Sequence, residues 1–181
     1  MDKIELTNEA LLLRPYQPKD AKAMAEAVNE SVQELMPFMP WAHEGYSVKE
    51  AKTWLKKCQK GWKEGTDYQF AIFSRADGAY LGGCGLNHIN TLDRWCNLGY
   101  WVRTSRAKQG IATQAVALLS RFGFEQLKFN RIEILAAVGN LASQRVAAKS
   151  GAVREGILRN RLFLHEKPTD AVMFSLVPPR K

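Results

Sequence analysis

Three observations predict a mixed α/β domain, with a central sheet covered by helices. Three strand-like segments follow one another at Tyr68–Ser74, 80–89 and Trp95–Val102, rich in aromatic or β-branched residues and divided by turn formers. After Val102 the rhythm changes to alternating strand and helix. The 46% of hydrophobic residues in a chain of 181 suffices for one core, so a single domain over 1–181 is expected. An antiparallel half followed by a βαβα half implies a mixed sheet with helices on its faces.

The elements follow in order. Residues 11–14 are a short apolar strand, closed by Pro15 and Pro18. Ala21, Met24, Ala25 and Val28 recur at helical spacing, and Asp20 is placed to cap that helix. The prolines at 37 and 40 rule out a helix interior, so 36–44 reads as an apolar loop. Ser47 and Glu50 have capping-box spacing. The helix they open has one stripe of Ala51, Trp54, Leu55, Cys58 and Trp62, with Lys52, Lys56, Lys57 and Lys60 facing water.

Asp77-Gly78 marks a hairpin turn. Ile111, Ala115, Leu118, Leu119 and Phe122 form the next helical stripe, residues 131–138 a nearly continuous apolar strand, and Ala142, Val146 and Ala147 a further helix ended by Gly151. Strands at 153–158 and 171–177 close the chain before Pro178-Pro179.

Charge and cysteine usage bound the function. Twenty-six Lys and Arg against eighteen Asp and Glu give +8, so a polyanionic partner is expected: a nucleic acid, an acidic membrane or a phosphorylated ligand. No apolar run approaches the roughly 20 residues of a membrane span. Met1-Asp2-Lys3 leads into no signal-peptide core, so a cytoplasmic protein without membrane partners is expected. Cys58, Cys84 and Cys96 lack CxxC spacing and read as buried thiols, without a disulfide framework or a metal site. Gly82-Gly83-Cys84-Gly85 lacks the third glycine of a dinucleotide fingerprint, because His88 stands there.

The segment 103–113 joins an apolar strand to an amphipathic helix. Gly110 and Ala112 leave the first-turn amides unobstructed, so this helix start suits phosphate, with Arg103, Arg106 and Lys108 adding positive charge. A second polar helix start, Asn140-Leu141-Ala142-Ser143, follows the next buried strand. Both starts fall on the same edge of the sheet, where open α/β sheets bind ligands.

Together these segments resemble the GNAT superfamily of acetyl-coenzyme A dependent N-acetyltransferases. The family's pyrophosphate-loop signature, Gln/Arg-x-x-Gly-x-Gly/Ala, matches Ala107-Lys108-Gln109-Gly110-Ile111-Ala112 in its second half, with Ala107 at the Gln/Arg position. Leu98-Gly99-Tyr100-Trp101-Val102, Gly110-Ile111-Ala112-Thr113-Gln114-Ala115 and Lys149-Ser150-Gly151 are similar to the RimJ/RimL-type group, which includes acetyltransferases of ribosomal-protein N-termini.

The resemblance implies a mixed, largely antiparallel sheet of about seven strands, splayed between the fourth and fifth. It implies acetyl-coenzyme A as cofactor, its pantetheine arm in the splay beside Trp101, Val102 and Arg103. The diphosphate would lie on Lys108, Gln109, Gly110, Ile111, Ala112 and Thr113, with Asn140 and Ser143 at the sulfur end. A backbone N–H near Val102 would polarise the thioester carbonyl. Position 147, where many relatives carry a tyrosine, is alanine; the similarity to the RimL-like group, which has a serine at the Ser143 position, implies Ser143 as the group that stabilises or protonates the thiolate.

The general base is open among His43, Glu44, His88, Asp93 and bound water, since Asn97 stands where relatives often carry glutamate. Phe38, Trp41, Glu44 and His88 are the candidate acceptor-binding residues. The expected acceptor is a protein N-terminal amine, in the first instance a ribosomal protein's. A small amine (amino acid, polyamine or antibiotic) is the alternative, with Glu44, Glu50 and Asp93 as the acidic groups that could attract a polycation. A basic RNA- or ribosome-binding module is the non-enzyme alternative. The enzyme reading requires no nucleic acid, and it leaves a homodimer open.

Overall fold

The structure, a computed structural model, describes residues 4–178. Met1–Lys3 and Pro179, on which the leader and terminal-proline readings rest, lie outside the described residues. The chain runs β1 (Leu6–Thr7), β2 (Leu11–Pro15), α1 (Ala21–Glu30), α2 (Val32–Leu35), α3 (Val48–Glu64), β3 (Tyr68–Ser74), β4 (Tyr80–Asn90) and β5 (Trp95–Val102). It continues through α4 (Ile111–Glu125), β6 (Arg131–Ala137), α5 (Leu141–Lys149), β7 (Val153–Leu164) and β8 (Lys167–Leu176).

One sheet of eight strands has the order β1-β2-β3-β4-β5-β6-β8-β7. Every pairing is antiparallel except β5 with β6. The eighth strand, beyond the seven expected, is the two-residue β1, too short to carry a period of its own.

Strand alternation divides the core in two. Phe70, Ile72, Leu86, Leu98, Ile132 and Ile134 face α4, where Val116, Leu119 and Phe122 meet them. Ala71, Tyr80 and Trp101 face α1 and α3, against Ala25, Val28, Leu55 and Cys58. Ser47 caps α3 through the expected capping box: its Oγ accepts from the Glu50 amide at 3.2 Å, and the Glu50 carboxylate accepts from the Ser47 amide at 2.9 Å. Gly65 ends that helix in the left-handed region, at φ 69°.

Asp20 acts differently from the cap expected of it. It makes no cap bond to α1; its carboxylate accepts from the Gln17 amide at 2.7 Å and holds Arg14 by two bonds of 2.8 Å. The side chain is buried, and the bidentate partner explains how a carboxylate is tolerated there.

The last two strands are longer than the 153–158 and 171–177 expected. They meet in a turn at His165-Glu166, both at positive φ (49° and 61°). A two-residue hairpin turn of that hand usually shows itself by Asn-Gly, and this one carries neither residue. His165 Nε2 bonds the Met36 carbonyl at 2.8 Å, which ties the hairpin tip to the loop after α2.

Candidate active site

The site begins where two neighbouring strands part. Parallel pairing of β5 with β6 covers only Trp95, Cys96 and Asn97 against Arg131, Ile132 and Glu133. Beyond Asn97, β5 stays paired with β4 as far as Val102, and β6 stays paired with β8 as far as Ala137. The result is the expected splay, which falls between β5 and β6, the fourth and fifth strands when the two-residue β1 is left out. The Arg103 amide donates to Leu81 O on β4 at 2.8 Å. Successive amides of a strand point to opposite sides, so the N–H groups of Val102 and Tyr100 point into the gap.

The α4 start flanks one side. Lys108 (φ 61°) and Gly110 (φ 76°) curl the backbone so that the first turn faces outward, and α4 has no side-chain cap. Among the described residues no acceptor is found for the amides of Ile111, Ala112 and Thr113; the first helical bond is Gln114 N–H to Gly110 O at 3.0 Å. A side-chain carbon at Gly110 would come no nearer than 3.7 Å to any neighbour, so the space above these amides is open. These features fit a diphosphate.

The flanking charges need correction. Arg103 is engaged by the Glu30 carboxylate and by Tyr80 O, and Arg106 is held by Asp77 at 2.9 Å. The Arg103 bond holds Glu30 down at about 2, so the carboxylate is ionised and offsets the guanidinium. Neither arginine contributes the free positive charge expected of it, and Lys108 alone of the three has no ionic partner among the described residues.

The α5 start flanks the other side. Asn140 Oδ1 accepts from the Ser143 amide at 3.0 Å, the capping bond its position predicts. Ser143 Oγ lies 3.0 Å from the Tyr100 hydroxyl, which also bonds Ser143 O at 2.9 Å. Tyr100 therefore reaches from β5 to α5. Burial pushes its phenol up to about 12, with the Ser143 bond acting the other way, so it keeps its proton. Tyr100 was missed as a site residue in the sequence. Alternation with Leu98 and Val102 gives its face, but its partner lies 43 residues away.

A cavity of about 640 Å³ opens on the opposite face of β4 and β5. Trp41, Tyr46, Trp54 and Trp101 wall it, Gly83 and Gly99 form part of its floor, and it meets the gap at Tyr100. Of the four acceptor residues read from the sequence, only Trp41 lines it. Glu44 is exposed, with Gln33 as its partner; His88 is exposed at a strand irregularity with φ 49°; Phe38 lies outside the wall.

The charged groups of the wall are His43, Glu50 and Lys57. His43 bonds Glu44 O through Nδ1 at 3.0 Å and Glu50 Oε1 through Nε2 at 2.8 Å. Both partners are acceptors, an arrangement that favours the cationic ring, in which both nitrogens donate. The Glu44 carbonyl, then Glu50, raise its pKa, while Ser47 and then His43 hold Glu50 down at about 2. Sequence reading took Glu50 chiefly as a cap; the fold also turns it into the cavity.

A second cavity of about 260 Å³, lined by Arg14, Tyr16, Cys58 and Trp62 among others, touches neither β5 nor β6. The three thiols are buried as expected, and burial pushes Cys58 and Cys96 up to about 12. Among the described residues no group of side chains could hold a metal ion, and no helix is long and apolar enough to cross a membrane.

Comparison with known proteins adds to this geometry. A family profile described as an acetyltransferase (GNAT) domain matches residues 10–153. "Putative ribosomal N-acetyltransferase YdaF" of Bacillus subtilis is 30% identical over 176 residues, covering 94% of this chain and 92% of that one. RimJ of Mycobacterium smegmatis, solved with a coenzyme A disulfide, superposes with a TM-score of 0.84 at 25% identity, covering 92% of this chain and 81% of the other. RimL, described as a ribosomal L7/L12 α-N-protein acetyltransferase and solved with coenzyme A, superposes at 0.88. It is 21% identical, with 96% and 98% covered, and so speaks for the fold alone.

Proposed function

The chain belongs to the GNAT acetyltransferase family, and from that premise we propose that it moves the acetyl group of acetyl-coenzyme A to the α-amine of a protein N-terminus, with ribosomal proteins the first candidates. One observation carries the reading: the β5/β6 gap, the polar start of α5 and the aromatic cavity meet at Tyr100. Similarity to proteins named for ribosomal N-acetylation supports the choice of acceptor.

When bound, acetyl-coenzyme A supplies an acyl carbonyl activated by a thiol leaving group. The amides of Ile111, Ala112 and Thr113, with those of Lys108, Gln109 and Gly110, would hold its diphosphate, and Lys108 would add charge. Trp101 and Val102 border the gap; Arg103 closes the strand behind them, with its amide on Leu81 O and its carbonyl accepting from the Arg106 amide. The Val102 N–H would donate to the carbonyl oxygen as negative charge develops there.

Ser143 Oγ–H would hydrogen-bond the departing sulfur and stabilise it as the thiolate, which would then take its proton from water. Tyr100 O–H donates to Ser143 O, which fixes the serine beside the gap, and the Ser143 hydroxyl, 3.0 Å from the same phenol oxygen, can turn from it toward the sulfur. Tyr100 is thus a positioning residue.

The proton of the incoming amine goes to water in the cavity. Both ring nitrogens of His43 are turned to Glu44 O and Glu50, and Glu50, at about 2, is a weak base. The apparent pKa of kcat/KM should therefore follow the acceptor amine itself, about 8 for a peptide N-terminus and above 9 for an alkylamine. A pH profile fixed near one value for both acceptors would contradict solvent as the proton sink.

The function is tested by coenzyme A release from acetyl-coenzyme A with N-terminal peptides, free or already acetylated. Release is expected with free peptides only. Release that ignores the free amine would overturn it.

A further inference from the structure

Resting on the acetyl-transfer reading, we propose that the acceptor is a primary amine with a bulky apolar or aromatic group beside the nitrogen, in preference to serine- or alanine-like amines and to polyamines. The observation is the character of the 640 Å³ cavity on the amine side of the gap.

Its wall is aromatic. Trp41 stands edge-on to Tyr46 and to Trp101, with ring centroids 6.0 and 5.9 Å away, and yet is 41% exposed, so one side of the indole faces the cavity mouth without cover. A planar or branched apolar group entering there would bury that surface as well as its own. A single methyl or hydroxymethyl group is too small to fill the space.

The floor adds room. Gly99 faces the cavity next to the gap, and a side-chain carbon there would find nothing within 4 Å. The void therefore starts beside the expected position of the acyl carbonyl, where the substituent on the amine-bearing carbon would lie.

The wall is only thinly polar. Thr53 donates its hydroxyl to Lys49 O, the Gln69 amide nitrogen is bound to Asp67, and the Asn87 carbonyl accepts from Asn97. Gln69 Oε1 and Asn87 Nδ2 are the side-chain amide atoms left to meet a hydroxyl, on a wall that is mostly apolar.

Charge argues against a polycation. Glu50 is the sole carboxylate of the wall, and His43 and Ser47 already occupy it, while Lys57 adds a positive charge. A polyamine would meet like charge and find no free anion.

The test measures kcat/KM with acetyl-coenzyme A for short peptides starting with Phe, Leu, Ala or Ser, for phenethylamine and for spermidine. The Phe and Leu peptides, or phenethylamine, should exceed the Ala and Ser peptides and spermidine at least tenfold. Gly99→Val and Trp41→Ala should each reduce that ratio severalfold while acetyl-coenzyme A still raises the melting temperature. Ser or Ala peptides used best would keep the N-terminal reading and overturn the size preference. Turnover of phenethylamine with no peptide would keep the preference and overturn the N-terminal reading. Spermidine used best, no turnover at all, or a ratio untouched by both substitutions would overturn the proposal.

Discussion

Ser143 is held from two directions, by the Asn140 cap on its amide and by Tyr100 on its hydroxyl and carbonyl. If the hydroxyl stabilises the leaving thiolate by a hydrogen bond, Ser143→Ala should lower kcat by about a hundredfold, a modest effect because a thiol leaves readily. The KM for acetyl-coenzyme A should change little. Tyr100→Phe should have a smaller effect of the same kind and cost about 1–2 kcal/mol of stability in denaturant unfolding, for two part-buried hydrogen bonds. Equal losses of kcat and cofactor affinity in both variants would mean that the pair only supports the gap. Asn140 and Ser143 are legible in the sequence because capping is local, three residues apart. Tyr100 is not, because its role depends on how far apart β5 and β6 stand. The charges around the phosphate loop mislead for a similar reason: Glu30 and Asp77, which offset Arg103 and Arg106, come from distant segments.

The loop from Met36 to Ser47 is the element that closes the aromatic cavity, and the His43–Glu50 pair fastens it to the start of α3. Its pH dependence follows from the two shifts. Glu50 is lowered from 4.5 to about 2, so its contribution is present above pH 4.5 and is lost as pH falls toward 2. His43 is raised above 6.5, so its contribution is complete below 6.5 and is lost as pH rises through the higher folded value. The loop should thus be held most firmly between about pH 4.5 and 6.5. Amide exchange in residues 36–47, corrected for its intrinsic pH dependence, should show most protection there and lose it above. His43→Gln should remove the upper limb, and an unchanged profile in that variant would contradict the latch. At this scale the sequence reads well wherever a signal is repeated. The α3 stripe, the Ser47 box and the Asp77-Gly78 turn all stand as expected. Single-position signals fare worse. Asp20 binds Arg14 and Gln17 in place of capping α1, and the His165-Glu166 turn conceals half of the β7–β8 hairpin.

For the whole molecule, the alternation of strands and helices after Val102 already implies a mixed sheet and brings two helix starts to one edge. What it does not convey is the end of β5–β6 pairing at Asn97, because pairing length depends on how both strands are held by their other neighbours. The +8 charge also changes meaning. Part of it is internally paired at Arg14, Arg103, Arg106 and Arg131, and Lys108 stands at the helix start that suits a diphosphate. Cofactor binding at that start should stabilise the fold. At about a hundred times its Kd, acetyl-coenzyme A should add about 2.7 kcal/mol, roughly 5–10 °C in Tm for a chain of this size. Gly110→Asp places a carboxylate over the cradle, in a left-handed position that aspartate tolerates better than most residues. The most direct test is amine-dependent release of coenzyme A thiol by the wild type and by Gly110→Asp, each with its Tm measured with and without acetyl-coenzyme A. The wild type should release thiol only with an acceptor amine and show the thermal shift, and the folded variant should do neither. A wild type that neither shifts nor turns over at millimolar acetyl-coenzyme A, or a variant that does both normally, would contradict the placement of acetyl transfer in the β5/β6 gap.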